Sequence, residues 1–152
     1  MKILLVEDDE DKRQQLYAFV KSELDAQIYE ARSYQSGLKA LLAEKFDLVL
    51  LDMTMTTFDK TPTESGGRPQ PYAGREILQQ MARRSLTANV IVVTQFDRFG
   101  GGEDEITLQE LDENLFNSFP SSYKGSVQYS VKYAGWQEKL RYFLKDLGIL
   151  AE

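Results

Sequence analysis

The stretch FDLVLLDMTM, residues 46–55, decides the architecture of this chain. From Phe46 to Leu51 it is an apolar run broken only by Asp47, and it stops at Asp52. A strand that is apolar at successive positions has to be covered on both faces, which is the situation of a central strand in a parallel sheet. A carboxylate at the end of such a strand is costly to bury unless it is paired or put to use. Asp52 is therefore the first candidate functional residue.

Working outward, further short apolar runs fall at Ile3 to Val6 and Val90 to Val93, the latter ending at Thr94, and Ile28 to Ala31 reads as a weaker second strand. Ser126 to Tyr133 alternates as a closing strand. Between them the apolar residues keep helical spacing: Leu16, Phe19, Val20 and Leu24; Leu38, Leu41 and Leu42; Ile77, Leu78 and Met81; Ile106, Leu108, Leu111, Leu115 and Phe116; Trp136, Leu140, Phe143, Leu144 and Leu147. Glu7 to Asp11 suit the positive end of the first helix. Strands and helices in strict alternation predict an α/β fold, a doubly wound five-stranded parallel sheet with helices on both faces. The pattern fails from Thr54 to Gly74, which holds Pro62, Pro69, Pro71 and the pair Gly66-Gly67. That segment reads as a long loop inserted after the third strand, in a chain of one domain spanning residues 1–152.

The bulk numbers narrow the function. With 152 residues, 42% hydrophobic and 28% charged, the chain has the balance of a folded domain of ordinary size. A net charge of −6 argues against direct binding to nucleic-acid phosphates, which needs a basic surface. The absence of cysteine excludes thiolate chemistry and disulfides, and the absence of histidine removes the commonest general base. Carboxylates remain as the obvious site chemistry. No apolar run approaches the length needed to cross a bilayer, and the N-terminus has no signal-peptide pattern, so no membrane partner and a cytoplasmic location are expected.

In an open parallel sheet, ligands bind at the carboxyl ends of the strands. Those ends carry Glu7, Asp8 and Asp9 after the first strand, Asp52 after the third, Thr94 after the fourth and Lys132 near the end of the fifth. Several carboxylates meeting in one place repel one another, and a hard cation such as Mg2+ (or Mn2+) relieves the repulsion. With such an ion present, Asp52 could act as a nucleophile toward phosphorus. Lys132 would offer a point charge and Thr94 a hydroxyl donor to the phosphoryl oxygens.

These residues resemble the receiver domains of bacterial two-component response regulators. MKILLVEDDEDKRQQL looks like the family's opening strand and acidic loop, FDLVLLDMTM like its phosphoacceptor strand, VIVVT like the strand ending in its switch hydroxyl, and YSVKY like the strand ending in its lysine. Gly74 to Leu78 resembles the start of its third helix. The resemblance implies a flavodoxin-like strand order, 2-1-3-4-5, and a phosphoacceptor switch rather than an enzyme in the ordinary sense. It implies Asp52 as acceptor, with Glu7, Asp8, Asp52 and the backbone carbonyl of Thr54 as metal ligands. It further implies Thr94 and Lys132 as the signalling pair and Tyr129 as the aromatic switch. The implied partners are a histidine kinase or phosphotransfer protein as donor and a downstream protein, with a homodimer through the fourth helix, fifth strand and fifth helix as another output.

The chain departs from the family pattern at three places. Tyr133 follows Lys132 where a proline is usual, Gln95 stands where a small residue is usual, and Thr56 replaces a proline ahead of the long insertion. These departures support an alternative reading as a pseudo-receiver, a binding module regulated without phosphorylation. A small phosphatase or metal hydrolase on the same sheet is a third class, one that would lack the usual acid–base equipment.

Overall fold

The computed structural model describes residues 1–133 and 135–151. Its main sheet is parallel, with strands β1 (Lys2–Val6), β2 (Gln27–Ala31), β3 (Leu48–Leu51), β4 (Asn89–Thr94) and β7 (Tyr123–Gln128) in the order β2-β1-β3-β4-β7. The flavodoxin-like order expected from the sequence is present, with β7 in the fifth place. Helices α1 (Glu10–Glu23) and α5 (Gly135–Asp146) cover one face, and α2 (Tyr34–Ala43), α3 (Ala73–Arg83) and α4 (Leu108–Ser118) the other.

The alternation of side chains along each strand produces the two cores. Ile3 and Leu5 pack with Leu16, Phe19 and Val20 of α1 and Trp136, Leu140 and Leu144 of α5. Leu4 and Val6, on the opposite side, pack with Leu41, Ile77, Leu78, Met81, Leu111 and Leu115. Every residue of β3 is buried, as a strand covered on both faces requires. Local signals agree with the packing. Ser33 with Ser36, and Thr107 with Glu110, form capping boxes that satisfy the first N–H groups of α2 and α4.

Two differences from the sequence expectation bear on the site. The last strand runs from Tyr123 to Gln128, not from Ser126 to Tyr133. β4 ends at Thr94, whose pairing partner is Gln128, and the Tyr129 N–H makes the final bond to the Thr94 carbonyl at 2.7 Å. Beyond that point no neighbouring strand among the described residues offers backbone groups. The alternating pattern therefore continues into a loop, where Val131 is 81% exposed. The segment between β4 and α4 is also more ordered than an acidic helix alone. Its strands β5 (Arg98–Phe99) and β6 (Ile106–Thr107) pair antiparallel, with buried Phe99 packed into the second core. Ile106 thus precedes the helix to which its spacing had assigned it.

Candidate functional site

Parallel register brings the acidic residues together. Val6 pairs with Leu51, so Glu7 and Asp52 leave adjacent strands at the same level. The Asp52 N–H is bonded to the Val6 carbonyl at 3.1 Å, and the Glu7 N–H to the Ala31 carbonyl at 2.9 Å. Carboxylate oxygens of Glu7, Asp8 and Asp52 lie within 4.8 Å of one another. Glu7 and Asp52 are almost fully buried and Asp8 is half-buried. Of the expected ligand set, these three acids are brought to one place.

Each acid has a defined setting. Asp52 Oδ1 accepts from the Met53 N–H at 2.7 Å, and Asp8 Oδ2 from the Thr56 N–H at 3.3 Å. Glu7 Oε2 accepts from the Asp9 N–H at 3.0 Å. The second Glu7 oxygen, Oε1, is buried without a hydrogen-bond donor of good geometry, although an ammonium touches it. Burial, together with the neighbouring Asp52, pushes the Glu7 carboxyl up to about 8. Asp52 is likewise raised, chiefly by burial, against the opposing pull of a nearby lysine.

That lysine is Lys12, in the first turns of α1. Its Nζ lies 2.5 Å from Glu7 Oε1 and 3.3 Å from Asp52 Oδ2, and donates to the Val93 carbonyl at 2.7 Å. Lys12 was not among the residues singled out from the sequence. The signal was present in the helical spacing, because Lys12 precedes Leu16 by four residues and so shares the buried face of α1.

The structure corrects the placement of Lys132. Because β7 ends at Gln128, Lys132 falls in the loop beyond it, exposed, lining a shallow groove with Asp11, Gln14 and Gln15 of α1. Thr94 is fully buried at the end of β4, and its hydroxyl accepts from the Phe96 N–H at 3.2 Å. Tyr129 is buried, its ring centroid 5.1 Å from that of Trp136 with the planes tilted by 46°, and the Lys12 ammonium lies 5.9 Å from its ring centroid. Thr54 is half-buried two residues past Asp52, its hydroxyl directed to the Pro71 carbonyl.

The insertion is folded back on itself. Met55 and Gln70 form an antiparallel bridge, and Asp59 Oδ1 accepts from the hydroxyls of Ser33 at 2.6 Å and Ser36 at 2.8 Å. This anchors the segment to α2. Lys60, Thr61 and Pro62 then stand across a groove of about 680 Å³ from Asp8, Asp9 and Arg32. Arg68 is exposed in the second limb of the insertion.

A divalent cation fits the donors present. Glu7, Asp8 and Asp52 bring three negative charges when ionised, and Lys12 offsets one of them. The remaining two match one Mg2+, for which all-oxygen ligation is the usual preference. Glu7 Oε1, which has only the Lys12 ammonium against it, is an oxygen of the kind such an ion would take up.

Comparison with known proteins agrees with this geometry. The response regulator receiver domain family matches residues 3–99, a span that includes Glu7, Asp8, Asp52 and Thr94 and ends before Tyr129 and Lys132. The Detocs response regulatory protein DtcB of Enterobacter cloacae is 33% identical over 143 residues, covering 92% of this chain and 95% of that protein. An uncharacterized Sinorhizobium fredii protein, y4jR, is 34% identical over 145 residues, covering 93% and 95%. Among solved structures, the Thermotoga maritima response regulator TrrA in complex with Mg(2+)-BeF aligns with a TM-score of 0.60 at 21% identity, covering 94% of this chain and 98% of that one. The receiver domain of an HD domain-containing protein from Pseudomonas fluorescens aligns with a TM-score of 0.64 at 17% identity, covering 95% and 91%. No helix among the described residues is long and apolar enough to cross a membrane. On the family match and these two relatives, the chain belongs to the response regulator receiver domain family.

Proposed function

We propose that this receiver is a phosphoacceptor switch in a phosphorelay, with Asp52 as the residue that takes the phosphoryl group. The convergence of Glu7, Asp8 and Asp52 within 4.8 Å at the carboxyl edge of the sheet carries the reading. The chain has no histidine, so the donor is a partner protein, a histidine kinase or a phosphotransfer protein. An Asp52 oxygen attacks the phosphorus of the partner's phosphohistidine and a new P–O bond forms. The P–N bond breaks, and its electron pair returns to the imidazole, which takes up a proton. Glu7, Asp8, Asp52 and the Thr54 carbonyl would hold Mg2+, which when bound neutralises charge on the phosphoryl oxygens. This is switching with slow self-catalysed turnover, not enzymatic catalysis of an external substrate.

The readout follows from what lies next to the pocket. Thr94 would turn its hydroxyl from the Phe96 N–H to a phosphoryl oxygen, shifting the loop after β4. Tyr129, bonded through its N–H to the Thr94 carbonyl, would respond to that shift. The face built by α4, β7 and α5 then has two states, read by a downstream protein or by a second copy of the chain. Incubation with Mg2+ and acetyl phosphate should add one phosphoryl mass to the wild type and none to Asp52→Asn. An unchanged wild-type mass would refute the reading.

The buried Lys12 favours one second reading. It compensates the acids without a metal, as a pseudo-receiver regulated by other means would need. A magnesium titration separates the two, since only a phosphoacceptor requires the ion to change Trp136 fluorescence and the thermal midpoint.

A further inference from the structure

We propose that Lys12, entering from α1, is the lysine that serves the Asp52 pocket and contacts the transferred phosphoryl group, and that Lys132 takes no part in the transfer. The proposal rests on the phosphoacceptor reading above.

Position is the first argument. Lys12 Nζ is 3.3 Å from Asp52 Oδ2, an oxygen of the carboxylate to which the phosphoryl group would be added. It is also 2.7 Å from the carbonyl of Val93, the residue before Thr94. One ammonium therefore touches the acceptor and the strand end that carries the switch hydroxyl. Lys132 lies beyond the end of β7, exposed, in a groove it shares with Asp11, Gln14 and Gln15 of α1.

Cost is the second argument. Lys12 is 1% exposed, and a fully buried ammonium loses several kcal/mol of hydration unless its partners are close and well placed. It also sits in the first turn of α1, where the helix dipole disfavours a cation. Nothing about forming α1 asks for a charge there, since the position belongs to the helix's apolar face with Leu16, Phe19 and Val20. The three oxygens of Glu7, Asp52 and Val93 equal the number of N–H groups an ammonium can offer. A side chain so placed is matched to the pocket and not to the helix.

The consequence for transfer is electrostatic. An approaching phosphoryl group is anionic, and so is Asp52. A fixed ammonium in a water-poor site offsets the repulsion without reorganisation when the P–O bond forms. Lys12 and the divalent ion then share the acidic residues, so removal of the ammonium should affect the two ligands in opposite directions.

The test compares Lys12→Met and Lys132→Met with the wild type in the intact chain. Phosphorylation by acetyl phosphate is followed by mass, and Mg2+ binding by Trp136 fluorescence and thermal midpoint. Lys12→Met should be phosphorylated at least about tenfold more slowly, yet bind Mg2+ at the same or a lower concentration. Lys132→Met should stay within about twofold of wild type in both. Wild-type phosphorylation of Lys12→Met, loss of phosphorylation in Lys132→Met, or loss of both ligands by a folded Lys12→Met would overturn the proposal. Should Lys12→Met fail to fold, a crystal structure of the wild type with Mg2+ and beryllofluoride decides. Lys12 Nζ against a fluorine supports the proposal, and Lys132 in that place defeats it. A wild type that takes up no phosphoryl group at all refutes the phosphoacceptor reading itself.

Discussion

The carboxamide of Gln95 donates a hydrogen bond to Asp9 Oδ2 at 3.2 Å, joining the loop after β4 to the loop after β1 at the edge of the acidic pocket. Gln95 follows the buried Thr94, and Asp9 is two residues past Glu7. The contact is exposed, so its value is that of a single surface hydrogen bond, on the order of 0.5–1.5 kcal/mol.

On the phosphoacceptor reading, this contact ties the loop after Thr94 to the loop that carries Asp8, and breaking it would loosen entry to Asp52. Gln95→Ala should therefore raise the rate of phosphorylation by small donors about two- to tenfold, the range that one hydrogen bond spans. Dephosphorylation by water should accelerate in the same sense. Initial rates with acetyl phosphate, and the decay of the added mass after donor removal, check both. Unchanged rates would mean that the bond does not gate the pocket.

Gly74 lies at the start of α3 against the backbone of Asp52 and Met53. A Cβ at this position would stand 2.5 Å from the Asp52 carbonyl oxygen and 3.0 Å from Met53 Cα, both backbone atoms that cannot yield cheaply. The Gly74 N–H also bonds the Met53 carbonyl at 2.9 Å. Gly74→Ala should cost about 1–3 kcal/mol of stability, as overpacking does. It should also weaken Mg2+ binding by displacing Asp52. Urea unfolding and a magnesium titration measure the two effects.

The acidic cluster makes metal-free stability depend on pH. In the folded chain Glu7 keeps its proton up to about 8, because burial and Asp52 disfavour the anion, whereas an unperturbed glutamate ionises near 4.5. Between those values the native state binds more protons than the unfolded one. The stabilisation is thus complete below about 4.5, declines as pH rises and is gone above about 8. One proton accounts for at most about 1.4 kcal/mol per pH unit. Thermal melts without metal should fall across this window, Glu7→Gln should flatten the fall, and Mg2+ should oppose it by favouring the ionised form.

Much of this was legible in the sequence, for identifiable reasons. The runs at Ile3 to Val6, Leu48 to Leu51 and Val90 to Val93 are too apolar to be anything but covered strands. Parallel connectivity then puts their carboxyl ends on one edge. Glu7, Asp8 and Asp52 follow two of those runs directly, so the meeting of the three acids was implied by strand ends alone. A strand end shows which edge a residue reaches, and for side chains attached there that is nearly the whole of the geometry.

What the chain's own letters determined was the sheet, its two cores and the trio of acids, because apolar period and the residue after each strand are local properties. What only the tertiary structure decided was which lysine stands beside Asp52. That outcome depends on where β4 stops, since Thr94 is the last partner β7 can pair with and Lys132 lies past it. It depends equally on the rotation of α1 over the sheet, which turns Lys12 inward toward Glu7 and Asp52. The first rests on the pairing of Thr94 with Gln128 and the second on the bond from Lys12 to the Val93 carbonyl, 81 residues away, so both are decided by segments distant in sequence.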